Sequence, residues 1–336
     1  MSKVSDLISE YNNLGISEQL DYDKLYLYSL ITHSTAIEGS TVSETENRLL
    51  FDEGLSSNKP MTEQLMNLDL KAAYDEGLKL ASDHADYSVE MLCSLSALVM
   101  RNTGSEYKTI RGCFDSSNGD LRMINVSAGR GGKSYMAWEK IPARLGDFCN
   151  WLNQERKAID PEDTEGVYQL SFLAHHNLVF IHPWADGNGR MSRLVMNMIQ
   201  HEFGAIPSIV NKENRVEYID CLSTSQDQRD PDEFIRFMFN EHVRNLSQII
   251  EEYKRSYEYD TLYLKSDTLK GAVKLSSKER AVMDVIAKDT GITIEEIMKR
   301  TGFSRPTVTR AISSLKKKGL LERVGARKNG VWMIMN

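Results

Sequence analysis

A mainly α protein in two parts is what this sequence predicts: a large helical domain interrupted by a β-hairpin flap, then a small winged-helix domain. Three observations carry the prediction. Apolar residues recur at three- and four-residue spacing, as in Leu65, Leu68, Ala72 and Ala73 and again in Met91, Leu92, Leu95 and Leu98, which is the helical period. Gly104, Gly112, Gly119, Gly129, Gly131 and Gly132 break that period around β-like pieces such as Leu121 to Val126, the pattern of a hairpin or flap. The last sixty residues read as three short helices followed by two strands.

At 336 residues the chain exceeds the size at which a single core keeps growing, so two or more units are expected. The boundaries drawn are 1–100 for an N-terminal helical region, 101–270 for a central region with the flap, and 271–336 for the winged helix. Apolar residues at 41% and charged residues at 26% are ordinary globular values. A net charge of −7 argues against a chain that binds polyanions over its whole surface. Cys93, Cys113, Cys149 and Cys221 form no Cys-x-x-Cys pair, so zinc and dithiol chemistry are not expected and buried free thiols are. The N-terminus has no basic start before an apolar run, and no window of about 18 apolar residues occurs. A cytoplasmic protein without membrane contact is the expectation.

The elements follow in order. Tyr26, Leu27, Leu30 and Ile31 mark a helix that Gly39 would end. After the flap, helix returns at Pro142 and runs through Leu145, Phe148 and Leu152. A further helix from Thr164 to Phe180 carries Val167, Leu170, Leu173 and Ala174 on one face and leads into a loop at His182; helical spacing resumes at Leu194, Val195, Met198 and Ile199. Pro231, Asp232 and Glu233 open another helix, with proline in the first turn and acids at the positive end of the dipole. Its apolar period extends to Tyr257.

The loop reads His182-Pro-Trp-Ala-Asp186-Gly187-Asn188-Gly189-Arg190-Met-Ser-Arg193. Glycines at a helix start let the backbone approach an anion, and free N–H groups there meet the positive dipole end. Arg190 and Arg193 are three apart and share a face of the following helix, where guanidinium forks match phosphate oxygens. Two arginines suit a di- or triphosphate. A carboxylate at the rim, Asp186, points to a Mg²⁺ ligand bridging phosphates. His182 titrates near neutrality and qualifies as a base toward a hydroxyl. His175 and His176, inside the preceding helix and without a partner at metal spacing, read as packing or polar-face residues.

These residues resemble the Fic signature, His-x-Phe-x-Asp/Glu-Gly-Asn-Gly-Arg-x-x-Arg, with Trp184 in place of Phe. The resemblance implies transfer of AMP from ATP, with Mg²⁺, onto a Ser, Thr or Tyr hydroxyl of a target protein. It implies that His182 takes the hydroxyl proton, that Asp186 holds the metal, and that Asn188 with the Gly187 and Gly189 amides cradles phosphate. Arg190 and Arg193 would hold the leaving pyrophosphate. Tyr218 matches a tyrosine of the family's adenine pocket, and Gly119–Ser127 resembles the flap that lays the target segment beside the loop by strand pairing.

Ser34-Thr35-Ala36-Ile37-Glu38-Gly39 resembles the family's inhibitory-helix motif, Ser/Thr-x-x-x-Glu-Gly/Asn. A glutamate at 38 reaching Arg193 would neutralise the guanidinium that the terminal phosphate requires, so a repressed enzyme is expected.

Ser276-Ser277-Lys278-Glu279 is a capping box. It opens a helix with Ala281, Val282, Val285 and Ile286 on one face; a second helix begins at Thr293 and a third at Arg305, the plan of a helix-turn-helix. Leu320–Val324 and Val331–Met335 look like the two strands of a wing. Arg305, Arg310, Lys316, Lys317, Lys318, Arg323, Arg327 and Lys328 give residues 276–336 a basic face suited to duplex DNA; a dimerisation or partner-docking role stays open. A homo-oligomer is expected. Two readings stand beside the adenylyltransferase. In one, the chain is a DNA-binding regulator whose Fic domain senses nucleotide; in the other, the same loop transfers a different phosphate-containing group.

Overall fold

Helices α7 (Thr164–Ile181) and α8 (Asn188–Glu202) pack against each other and organise the larger unit, because both carry apolar residues on two sides. Leu170, Ala174 and Leu178 with Leu194, Val195 and Met198 enter one cluster. Tyr168, Phe172 and Met196 enter another. A helix apolar all round has to be enclosed by its neighbours. The computed structural model describes every residue except 1, 2, 20, 128–133, 271–274, 325–330 and 336.

The enclosing elements are α1 (Lys3–Asn13), α2 (Tyr22–Ile37), α3 (Glu44–Glu53), α4 (Met61–Ser82), α5 (Val89–Met100), α6 (Ile141–Ala158), α9 (Arg215–Gln228) and α10 (Asp232–Lys270). Leu70 and Tyr74 of α4, Leu92 and Val99 of α5, and Leu145 and Leu152 of α6 fill the first cluster. Tyr218 and Leu222 of α9 and Phe234 and Met238 of α10 fill the second. Helix starts follow local capping chemistry. Ser43 and Glu46 form a capping box on α3, Ser88 accepts from the Met91 amide on α5, Asp163 accepts from the Gly166 amide on α7, and a proline lies in the first turn of α6. Among the described residues no helix is long and apolar enough to cross a membrane.

Strands β1 (Glu106–Thr109) and β2 (Gly112–Asp115) form an antiparallel hairpin with Glu106 opposite Asp115. The β-like piece expected at 121–126 is not a strand. Its backbone turns instead to the loop after α7, where the Arg122 amide donates to the Pro183 carbonyl at 3.0 Å. A single antiparallel bridge joins Ser127 to Ser134; Gly129, Gly131 and Gly132 lie outside the described residues. Helix α10 runs to Lys270, beyond the end read at Tyr257. All four cysteines are free, but only Cys149 is buried; Cys93 and Cys221 are half-buried and Cys113 is exposed.

Contacts divide the chain into residues 1–251 and 252–336, a division that falls within α10. In the second unit α11 (Ser277–Lys288), α12 (Ile294–Thr301), α13 (Arg305–Lys317) and the antiparallel strands β3 (Leu321–Val324) and β4 (Val331–Ile334) surround Val282, Ile286, Ile297, Val308, Leu315 and Trp332. The capping box at Ser276 and Glu279 is formed. Arg305, Arg310, Lys316 and Lys317 are exposed on α13. Four residues counted in the basic face already have partners within the domain: Lys318 pairs with Glu279 at 2.8 Å and Arg305 with Glu295 at 2.9 Å, and the Lys316 ammonium and Arg323 guanidinium lie 5.5 and 4.9 Å from the Trp332 ring centre. Arg327 and Lys328 lie outside the described residues.

A buried polar knot seats α2. Asn67 Oδ1 accepts from Thr35 Oγ1 at 2.8 Å and from Asn47 Nδ2 at 2.9 Å. Its Nδ2 donates to the Glu63 carbonyl at 2.8 Å and to Ser40 Oγ at 3.2 Å. Truncating one member of such a knot strands the others without partners. Asn67→Ala should lower stability by about 2–4 kcal/mol in denaturant titration; a loss under about 1 kcal/mol would show that the knot contributes little.

Candidate functional site

Helix α7 ends on His182, which adopts the left-handed conformation at φ 52° and ψ 61°. A side-chain-bearing residue holds that conformation only where its surroundings fix it. Arg122 does much of the fixing. Its Nε donates to the His182 carbonyl at 2.7 Å, and its two Nη atoms to the carbonyls of Ile124 and Met136, each at 2.5 Å. The guanidinium thus joins the flap to the turn while being 1% exposed. Tyr135, also on the flap, stacks on the His182 ring with centroids 3.7 Å apart. Burial, with the Arg122 charge, pushes the imidazole down to about 4, so His182 is neutral at physiological pH.

Beyond His182 the loop is held by two anchors. Trp184 is fully buried, and its indole N–H donates to the Gly119 carbonyl at 3.1 Å, a bond that the phenylalanine of the signature could not make. Gly119 is at φ +75°, and a Cβ there would lie 2.0 Å from the Cys93 carbonyl oxygen, so only glycine fits. Asn188 grips the Trp184 backbone at both ends, accepting from its amide at 3.1 Å and donating to its carbonyl at 2.9 Å. Expected among the phosphate ligands, Asn188 has both ends of its carboxamide engaged in shaping the loop.

Gly187, at φ 81°, is the residue before α8, and no side chain caps the helix there. The first-turn amides of Asn188, Gly189 and Arg190 lack partners within the helix, which leaves the positive dipole end available to an anion. Asp186 stands at the rim with its side chain 61% exposed, one oxygen accepting from the Gly187 amide at 2.6 Å. Arg190 is buried; one Nη lies 3.7 Å from Asp186 and the other donates to the Val99 carbonyl at 3.4 Å.

Arg193 is 3% exposed and takes its partners from distant elements. Nε donates to Ser34 Oγ at 2.8 Å, Nη2 to the Ser34 carbonyl at 3.0 Å and to Glu38 Oε1 at 2.6 Å, and Nη1 to the Tyr218 hydroxyl at 3.3 Å. Glu38 and Arg193, expected to meet, are brought together. Burial raises the Glu38 pKa, but the charge and hydrogen bond of Arg193, with Arg190 and Arg215, bring it below the ordinary value. A Cβ at Gly189 would lie 2.6 Å from Glu38 Oε1, so the carboxylate sits over the first turn of α8. The end of α2 is held in place by Arg215, whose Nε donates to the Ile37 carbonyl at 2.6 Å.

Tyr218 is not where the resemblance puts it. At 1% exposure it packs beneath Arg193, the guanidinium 6.0 Å from its ring centre, and has no open face for a base. Its hydroxyl also meets His175 Nε2 at 2.9 Å, so His175 does more than pack. Arg122, Tyr135 and His175 are the residues that sequence reasoning missed. Arg122 and Tyr135 lie in a segment with no period. His175 carries a faint signal, since it lies seven residues before His182 on the face that reaches the same site.

The Fic/DOC family model matches residues 86–200 and the MarR family model residues 275–330. The protein adenylyltransferase fic-1 of Caenorhabditis elegans is 27% identical over 261 residues, 76% of this chain and 48% of the relative. The protein adenylyltransferase Fic of Culex quinquefasciatus is 25% identical over 249 residues, 71% and 44%. The chain thus spans about half the length of these curated relatives. A Fic domain containing signaling protein from Bacteroides thetaiotaomicron shares the fold at a TM-score of 0.61 and 19% identity, over 75% of this chain and 97% of its own. A Fic family protein from Desulfovibrio desulfuricans G20 does so at 0.55 and 19%, over 100% and 96%. With the signature loop, its neighbouring helices and the C-terminal helix-turn-helix all in place, this chain carries a Fic domain followed by a MarR-like winged helix.

Proposed function

We propose that this chain transfers AMP from ATP to a Ser, Thr or Tyr hydroxyl of a target protein and is held in check by Glu38. One observation carries the reading: the Glu38 carboxylate lies 2.6 Å from Arg193 and over the first turn of α8, the place where the loop would receive a terminal phosphate. An anion already occupies the anion site.

The reaction follows from the groups around it. Neutral His182 takes the proton of the target hydroxyl, whose oxygen attacks the α-phosphorus as the bond to pyrophosphate breaks. The amides at the start of α8, with Arg190 and Arg193, stabilise charge gathering on the leaving pyrophosphate. Asp186, exposed and with one oxygen uncommitted to the loop, fits a Mg²⁺ ion that takes one or two carboxylates and completes its shell with phosphate and water; such an ion would neutralise the phosphates and hold them in line. While Glu38 holds Arg193 the triphosphate cannot seat its terminal group, and basal transfer is low.

For the winged helix we infer contact with duplex DNA through the exposed residues of α13. The MarR family match and the outward-facing Arg310 and Lys317 support it.

Three outcomes test these readings. Glu38→Gly should raise self-modification or transfer on the order of tenfold or more, seen as added AMP by intact mass with ATP, while His182→Ala abolishes it; an unchanged rate for Glu38→Gly removes the brake. In the Glu38→Gly protein the rate depends on unprotonated His182; the Glu38 charge raises its value of about 4, so without it the rate should stay level from pH 8 down to about 5 and fall no earlier than about 4. An inflection near the ordinary histidine value, about 6.5, would contradict the buried neutral base. Duplex binding by the full chain should weaken as salt rises, and Arg310→Ala or Lys317→Ala should each reduce the salt slope by about 1; salt-independent binding, or none, excludes the DNA reading.

A further inference from the structure

Beneath Arg193 of α8 lie two buried residues that the reaction outlined above does not use, Tyr218 of α9 and His175 of α7, linked to it in a chain. Arg193 Nη1 stands 3.3 Å from the Tyr218 hydroxyl, and that hydroxyl stands 2.9 Å from His175 Nε2. His175 is fully buried, Tyr218 is 1% exposed, and the His175 ring also stacks on Phe234 with centroids 5.0 Å apart.

The order of protons along this chain follows from donor inventories. A guanidinium can only donate, so the Tyr218 oxygen accepts from Arg193. Burial pushes the Tyr218 phenol up, so it keeps its single proton. Where the hydroxyl donates that proton to His175, Nε2 is bare and the ring proton sits on Nδ1; the reverse arrangement, with Nε2–H donating to the phenol oxygen, would take the nearest acceptor from the Tyr218 proton. Among the described residues that Nδ1 has no hydrogen-bond partner, an arrangement that is costly in a core. A phenylalanine would stack on Phe234 equally well but leave the buried Tyr218 hydroxyl without His175 Nε2 as its partner, so packing alone does not explain a histidine. A second proton on the ring is opposed by burial and by the Arg193 and His176 charges, which hold the imidazole well below its ordinary value.

We propose that His175 is a positioning residue for Arg193. By accepting from Tyr218 it turns that hydroxyl's lone pairs toward the guanidinium and holds Arg193 in one place, whichever anion claims it. Glu38 on one hand and a nucleotide phosphate on the other then meet the same fixed fork, and the contest between them is decided by occupancy rather than by movement of the arginine. The nucleotide half of this statement rests on the function proposed above; the tautomer and the fixed guanidinium do not.

The test uses the full chain and has two arms. In the wild-type protein, ¹⁵N NMR should show His175 protonated at Nδ1 and a protected Arg193 Nε–H. His175→Phe should collapse that Arg193 signal and His175→Gln, whose carboxamide oxygen restores an acceptor for Tyr218, should keep it. In the Glu38→Gly background, His175→Phe and Tyr218→Phe should each weaken ATP binding about tenfold, the scale of one hydrogen bond to a charged group, and leave AMP binding unchanged; His175→Gln should bind both nucleotides as the parent does. An Nε2–H tautomer, an Arg193 signal indifferent to His175→Phe, or equal weakening toward ATP and AMP overturns the proposal. If the Glu38→Gly protein binds no ATP while the NMR arm behaves as stated, the functional reading fails and the positioning role stands.

Discussion

Arg193 is a cation removed from water, and its need for acceptors ties the larger unit together. Desolvating a guanidinium is unfavourable unless its donors are met with good geometry. Here Ser34 supplies both a hydroxyl and a carbonyl, Glu38 a carboxylate and Tyr218 a phenol. These come from α2, the residue after it, and α9, whereas the arginine itself belongs to α8. One side chain therefore fixes the N-terminal helix against the loop, and the same donors that would receive a phosphate also close the site.

The loop beside it is rigid for a related reason: backbone carbonyls that would otherwise be stranded are each given a donor. Arg122 serves three of them, Asn188 and its bond to the Trp184 carbonyl another, and the Trp184 indole reaches Gly119. This lets His182 hold a left-handed conformation and present a neutral ring under Tyr135. Asp186 lies open by contrast, and the first amides of α8 have the Glu38 carboxylate over them. The division into clamped and open groups separates the parts that shape the loop from those available to a ligand.

The C-terminal unit shows charge sorted by packing. Lys318 and Arg323 lie in a basic stretch, yet one is drawn to Glu279 and the other over Trp332, while Arg310 and Lys317 face outward. Counting basic residues overstates the face available to phosphates, because a cation near the core finds an internal partner before it finds an external one.

Much of this was legible along the chain, for a physical reason: capping boxes, helical periods and the spacing of Arg190 from Arg193 are properties of one or two turns, and a turn is set by neighbours in sequence. The helix ending at Glu38, the loop from His182 to Arg193 and the tri-helical plan after Ser276 are all of this kind, and so is the resemblance that links Glu38 to Arg193. Tertiary structure alone decided the rest. Arg122 meets His182 across 60 positions, Tyr218 meets His175 across 43, and Asn188 turns inward to Trp184 rather than toward a ligand. Which acceptor a buried donor finds depends on what packing brings within hydrogen-bond range. No spacing along the sequence encodes that.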